Sequence, residues 1–60
     1  MVYEVMIEQL GVSVITNADT PEQARDKALE QLIEDKAMTE RIKAILDEGE
    51  TIECDCVVVG

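Results

Sequence analysis

Residues 19–24, Asp19-Thr20-Pro21-Glu22-Gln23-Ala24, decide the fold, because several independent signals for a helix start coincide there. The Thr20 hydroxyl can accept a hydrogen bond from a free amide of the first turn, and Pro21 suits the first helical position, where no N–H is needed. Gln23 follows Thr20 at the spacing of a capping box. The two acidic side chains add negative charge at the positive end of the helix dipole. We therefore expect a helix that begins at Pro21.

Upstream of this helix, hydrophobic and polar residues alternate in two segments, which is typical of half-buried strands. The first strand is predicted over Val2–Gln9 and the second over Val12–Ala18, joined by a tight connection at Leu10-Gly11. A β-hairpin is the simplest interpretation. The predicted faces of the first strand are Tyr3, Val5 and Ile7 on one side and Val2, Glu4, Met6 and Glu8 on the other. Those of the second strand are Val12, Val14, Thr16 and Ala18 against Ser13, Ile15 and Asn17.

Downstream, no further proline and no glycine interrupts the chain between Pro21 and Leu46, and good helix formers dominate this segment. At 100° per residue one apolar face is expected to lie on the sheet. Either the helix breaks near Asp35 to Thr39, where Thr39 would cap a second helix, or an unbroken helix carries a second apolar stripe. Gly49 suits the position after the helix end. The face expected on the sheet consists of Ala24, Ala28, Leu32, Met38, Ile42, Ile45 and Leu46.

A third strand is predicted over Thr51–Val59, where β-branched residues are frequent. Ile52, Cys54, Cys56 and Val58 would share its inner face. The element order is then ββα(α)β. This order predicts an α+β fold of two layers, in which a long or broken helix packs on one face of a three-stranded antiparallel sheet.

The composition fits one domain spanning residues 1–60, with 14 acidic and five basic residues and a formal net charge of −9. Binding to phosphates relies on Lys and Arg, so nucleic acid and anionic membranes are not expected as direct partners. No leader and no apolar run of membrane-spanning length is evident, and we expect a cytoplasmic protein. The bases lie only in the middle segment: Arg25, Lys27, Lys36, Arg41 and Lys43.

The start of the chain carries the pattern Tyr3-x-Val5-x-Ile7, Leu10, Val14, Ala18-Asp19 and Glu22-x-Ala24. This pattern resembles the small DpnD/PcfM-like proteins of phages and mobile elements. The resemblance covers about the first 24 residues, and it implies a phage or mobile-element source, with a host cytoplasm as its location, rather than a particular activity. It assigns no functional residues.

Cys54 and Cys56 are the only cysteines, and they are two residues apart on a predicted strand. Their side chains then point the same way about 7 Å apart, which is long for a disulfide. With no histidine and no further cysteine, one chain cannot complete a tetrahedral zinc site. We expect two small core residues, the alternatives being a metal or disulfide between subunits and redox sensing.

Two groups of carboxylates are candidate partner-binding surfaces. One is an acidic sheet face, where strand alternation is expected to bring like charges together unless solvent or a basic protein compensates them. The other is an acidic helix ridge with an acid at every fourth residue, which can imitate a phosphate backbone. For each group the simpler interpretation is a solvated surface, and hard-cation binding is not expected for lack of a ligand-rich loop. The sheet face consists of Glu4, Glu8, Glu53 and Asp55, and the helix ridge of Glu22, Asp26, Glu30 and Glu34.

An apolar stripe of Leu29, Ile33 and Ala37 lies off the main helix face. It predicts a homodimer or larger oligomer, the alternative being a monomer in which a helix break turns these residues inward. Ile15, Val57 and Val59 add apolar surface on the outer face of the sheet.

No catalytic site is evident, because the chain lacks histidine, a recognisable nucleophile with its base, and a glycine-rich phosphate loop. We expect neither an enzyme nor a bound cofactor or metal. The leading hypothesis is a small acidic phage- or mobile-element-like protein that modulates a host protein, basic or nucleic-acid-handling, through an acidic surface. The alternative is a structural or oligomeric interaction module without an inhibitory role.

Overall fold

Two strands, two helices and a third strand follow one another in a computed structural model that describes all residues, 1–60. The three strands form one antiparallel sheet in the order β2-β1-β3, and this confirms the α+β fold predicted from the sequence. Neither helix has the length and apolar character needed to cross a bilayer. The elements are β1 (Val2–Ile7), β2 (Val12–Asn17), α1 (Pro21–Leu32), α2 (Lys36–Asp47) and β3 (Asp55–Val58).

The hairpin turn is longer than the sequence predicts, because β1 ends at Ile7 and a four-residue connection precedes Val12. Gly11 occupies this turn at φ 65°, a left-handed conformation that favours glycine. Gln9 leaves the strand and binds the chain ahead of β3: its amide donates to the Thr51 carbonyl at 2.7 Å and accepts from the Glu53 N–H at 2.8 Å. The amide of Gln9 thus ties residues 51–53 to the hairpin turn, outside the sheet.

The core lies between the sheet and α1. Ala24 and Ala28 have no exposed surface, and their small side chains let the helix backbone approach the sheet closely. Ile52 covers the end of this core. On the sheet side the buried residues are Tyr3, Val5, Ile7, Leu10, Thr16 and Ala18.

The start of α1 has the predicted capping arrangement. The Thr20 hydroxyl accepts from the Gln23 N–H at 3.2 Å, and Pro21 occupies the first turn. The Gln23 side chain returns to the N–H of Asp19 at 3.1 Å, one residue earlier than in a standard capping box. The helix therefore begins where the sequence predicts.

The helical segment breaks, as one of the two sequence interpretations predicts, but Thr39 is not the cap. Asp35 caps α2, since its carboxylate accepts from the N–H groups of Ala37 at 2.9 Å and Met38 at 3.3 Å. Thr39 lies inside α2, and its one hydroxyl proton is shared between the carbonyls of Ile33 at 2.9 Å and Asp35 at 3.0 Å. Thr39 thus bridges the break rather than beginning the second helix.

The α2 helix lies against the edge of the core. None of its residues is buried, although Met38, Ile42 and Ile45 are half-buried against the core. Leu46, expected on the sheet, is 53 % exposed. Gly49 follows the helix with φ 84°, which confirms its predicted position. The radius of gyration is 11.3 Å, somewhat above the roughly 10.4 Å typical of a compact chain of this length, consistent with this peripheral placement.

Candidate functional site

The helices cover only one side of the sheet, and the opposite side, which we call the outer sheet face, is open. Its apolar members include Ile15, Val57 and Val59, each about half exposed, at 57, 46 and 52 %. Val2 and Met6 are half-buried beside them. The outer sheet face comprises Val2, Glu4 and Met6 of β1, Ser13, Ile15 and Asn17 of β2, Asp55 and Val57 of β3, and the adjoining Val59.

Glu4 lies at the centre of this face and is half-buried. In the strand register it lies directly between Ile15 of β2 and Val57 of β3. Asp55 lies opposite Met6 in the same way. Glu4 and Asp55 are thus not directly opposite each other but are diagonal neighbours on β1 and β3, with an apolar side chain opposite each.

The remaining two carboxylates predicted on this face lie at its margin. Glu8 is exposed in the hairpin turn, and Glu53 is exposed in the extended segment before β3. Both strands are shorter than predicted, and so neither residue lies in a strand. The acidic sheet face thus reduces to Glu4 and Asp55 within the sheet, flanked by Glu8 and Glu53.

The outer sheet face has no Lys or Arg side chain, and its only positive charge from the same chain is the N-terminal ammonium, which donates to Asn17 Oδ1 at the margin of the face, at 3.2 Å. Arg25 and Lys27 belong to α1, and Lys36, Arg41 and Lys43 belong to α2, so every base lies on the helical layer. The charged side chains of this face are therefore carboxylates alone, and they lie among apolar and neutral polar side chains. A surface that combines apolar groups with Arg or Lys is its physical complement.

The acidic helix ridge is shorter than predicted. Glu22, Asp26 and Glu30 are exposed residues of α1, at four-residue spacing. Glu34 lies beyond the last helical residue, Leu32, in the break between the helices, so it does not continue the row. Arg25 and Lys27 belong to the same helix and interrupt its negative charge.

The apolar stripe proposed for self-association is divided by the break. Leu29 turns inward and packs against the core, whereas Ile33 and Ala37 remain exposed on opposite sides of the break. Leu29 and Ile33 instead line a groove of about 320 Å³ between the helices. A continuous stripe therefore does not exist. The groove is completed by Arg25, Ile42, Leu46, Thr51 and Ile52.

Both cysteines are free, half-buried and packed against the core on the helical side, as the alternation predicts. The Cys56 thiol donates to the Pro21 carbonyl at 3.5 Å. Burial, and next the neighbouring Cys54, raise the pKa of Cys56 above its ordinary value. A raised pKa disfavours the thiolate that metal binding and redox chemistry require. No three or more potential metal-ligating side chains lie together in the chain.

No protein family model, curated protein or solved structure was found to match this chain. The resemblance to DpnD/PcfM-like proteins stays a prediction. The outer sheet face is the site that the geometry singles out. Alternation alone places its apolar members, but the position of Glu4 between Ile15 and Val57 follows from the register of three strands, for which the sequence has no local signal.

Proposed function

We propose that this protein is a binding module that docks its outer sheet face on a protein surface combining apolar side chains with an Arg or Lys. The observation that carries the proposal is the central position of Glu4, half-buried between Ile15 and Val57 on a face that has no Lys or Arg side chain. The fold itself contributes little stabilisation to the Glu4 carboxylate at this position. A partner cation would pair with it as the surrounding apolar surface is removed from water.

The pattern of charge supports a basic partner. The formal net charge of −9 attracts positively charged surfaces over a distance and repels nucleic acid. Modulation of a host protein by a phage- or mobile-element-like protein is one use of such binding, and it is what the resemblance adds to the proposal. Identification of the partner would show which host process is affected.

The acidic helix ridge is the competing contact surface. Mimicry of nucleic acid would place Glu22, Asp26 and Glu30 at the interface, but Arg25 and Lys27 lie among them. The two surfaces belong to opposite layers, and so substitutions can separate them. We favour the outer sheet face because it combines carboxylates with apolar surface, whereas the ridge has no apolar surface.

The test is affinity capture from a bacterial lysate at low and high salt, with mass spectrometry to identify and quantify the captured protein. Glu4→Gln removes the central charge with almost no change in shape. Glu30→Gln is the matched control on the ridge. Loss of one member of a desolvated charge pair costs about 2–5 kcal/mol, so we expect at least tenfold weaker binding for Glu4→Gln and little change for Glu30→Gln.

A second variant tests the apolar part of the surface. Val57→Thr keeps the β-branched shape but exchanges a methyl group for a hydroxyl, and we expect it to weaken capture at both salt levels. Unfolding curves of all three variants check that the fold is kept. Undiminished capture by Glu4→Gln and Val57→Thr would refute the proposal, and loss of capture with Glu30→Gln alone would assign the interface to the ridge.

A further inference from the structure

β2 is an edge strand, and the register shows which of its backbone groups are unused. The N–H of Ala18 donates to the Met1 carbonyl at 2.9 Å, and Val2 lies opposite Asn17. In an antiparallel ladder hydrogen-bonded pairs alternate with non-bonded ones, so Thr16, Val14 and Val12 bond to β1. The N–H and C=O groups that point away from the sheet are those of Ser13, Ile15 and Asn17.

This edge lacks the usual protection against strand pairing. Residues 9–18 contain no charged side chain, and they form the longest uncharged stretch of a chain with 14 acids and five bases. The strand has no proline, and its register with β1 runs through six consecutive pairs without a bulge. Charges, prolines and bulges are the devices by which edge strands avoid pairing. The single cover is the Lys27 ammonium, which donates to the Asn17 carbonyl at one end, at 2.7 Å.

The other edge of the sheet differs in each of these respects. β3 has four residues rather than six. It begins with Asp55 and follows Glu53, so a strand added there would meet two carboxylates. Of the two edges, β2 is therefore the one built to accept another strand.

We propose that β2 pairs antiparallel with β2 of a second copy of this chain, around a two-fold axis at Ile15. Ile15 then faces its own equivalent, and Ser13 faces Asn17 of the other copy. Each outward-pointing residue exchanges N–H···O=C bonds with the residue opposite it, and the two three-stranded sheets form one continuous sheet. The Asn17 carbonyl can accept from both Lys27 and the second copy, because a carbonyl has two lone pairs.

Two features select a second copy as the occupant. A two-fold contact requires one patch that complements itself, and the three outward residues are spaced evenly about Ile15. Each copy also carries a formal charge of −9, so most of its surface repels another copy. The uncharged β2 edge is where two copies can meet without opposing carboxylates.

This inference is independent of the proposed function, and salt separates the two. Salt screens the repulsion between like-charged copies and strengthens the pairing, whereas it weakens binding to a basic partner. Pairing would also set two outer sheet faces side by side in one continuous surface. A partner with two contact sites would then bind with increased avidity.

The first measurement is the mass of the wild-type protein by light scattering over a range of protein and salt concentrations. We expect the mass to rise from 6.7 kDa towards twice that value, at lower protein concentration when salt is high. Ser13→Pro removes an outward N–H without removing any bond to β1, and we expect it to weaken association at least tenfold. Ser13→Ala keeps the N–H and is the matched control, with association unchanged.

The second measurement, amide hydrogen exchange by NMR, needs no variant and decides the question if Ser13→Pro fails to fold. In the associated wild type the amides of Ser13, Ile15 and Asn17 should become protected as concentration rises. Those of Cys56 and Val58, which point outward from the β3 edge, should not. A monomer at every concentration and salt level, protection on the β3 edge instead, or protection of β2 only after another protein is added would each overturn the proposal.

Discussion

The two helices have the same length, 12 residues each, but contribute to the fold in different ways. α1 has two alanines with no exposed surface and contacts all three strands. α2 has no buried residue and lies at the margin of the core. A helix gains most of its stability in a protein from packing rather than from propensity. It follows that α1 and the sheet form the stable unit, and that α2 depends on its caps and on one half-buried face.

Hydrogen exchange should show the largest contrast between the helices. The amides of α1 are expected to exchange through global unfolding, at a free energy of roughly 3–9 kcal/mol for a chain of this size. The amides of α2 should exchange through local opening at a clearly lower free energy. Native-state exchange by NMR measures both in one sample. Equal free energies for the two helices would show that α2 unfolds only with the core.

Replacing one alanine by leucine in each helix tests whether the two helices differ in packing. Ala28→Leu forces a larger side chain into the contact between α1 and the sheet, and we expect it to cost about 1–3 kcal/mol. Ala44→Leu adds the same atoms at an exposed position of α2, where the change should lie within about 0.5 kcal/mol. Urea unfolding followed by circular dichroism gives both values. Similar costs for the two variants would contradict the difference in packing.

These two helices also show how far local sequence signals reach. Thr20-Pro21 fixes the start of α1 because capping depends on neighbouring residues alone, and Gly49 marks the end of α2 for the same reason. One of the two sequence interpretations predicts the break but places the cap at Thr39, whereas Asp35 caps α2. Local patterns do not fix the residue at which α1 ends, and the position of the next cap depends on that end.

The candidate site follows the same rule. Alternation along each strand places Ile15 and Val57 on the outer sheet face without knowledge of the fold. It cannot place Glu4 between them, because strand order and register arise from contacts distant in sequence. The alternation pattern also predicts that β1 continues to Gln9, because a polar residue at the end of an alternating segment fits a strand. The structure shows instead that the Gln9 amide binds residues 51–53.

Removal of each N-cap should affect the two helices differently. Thr20→Ala and Asp35→Ala each lose a side-chain acceptor worth about 1 kcal/mol. We expect Thr20→Ala to lower the midpoint of global unfolding, because α1 unfolds with the core. Asp35→Ala should mainly reduce the helix content of the native state. Far-UV circular dichroism in water and in urea separates these outcomes, and Asp35→Asn, which retains an acceptor, should restore the helix content.

The smallest effect concerns pH and the start of α1, where the Cys56 thiol donates to the Pro21 carbonyl. Burial, and next Cys54, raise the pKa of Cys56 above its ordinary value of 9.0. At pH values between the unfolded and folded pKa, the native state keeps a proton that the unfolded state has lost. The stabilising contribution is therefore complete below the unfolded pKa and falls as pH rises through the folded one.

Comparison with Cys56→Ala isolates this contribution from other titrations. The free energy of unfolding of the wild type should fall more steeply than that of Cys56→Ala as pH rises above the ordinary pKa of 9.0. In Cys54→Ala the wild-type trend should persist in weaker form, since burial remains while the second thiol is gone. Urea unfolding at a series of alkaline pH values measures the difference. Parallel curves for wild type and Cys56→Ala would contradict the raised pKa, because the thiol would then ionise as readily in the native state as in the unfolded chain.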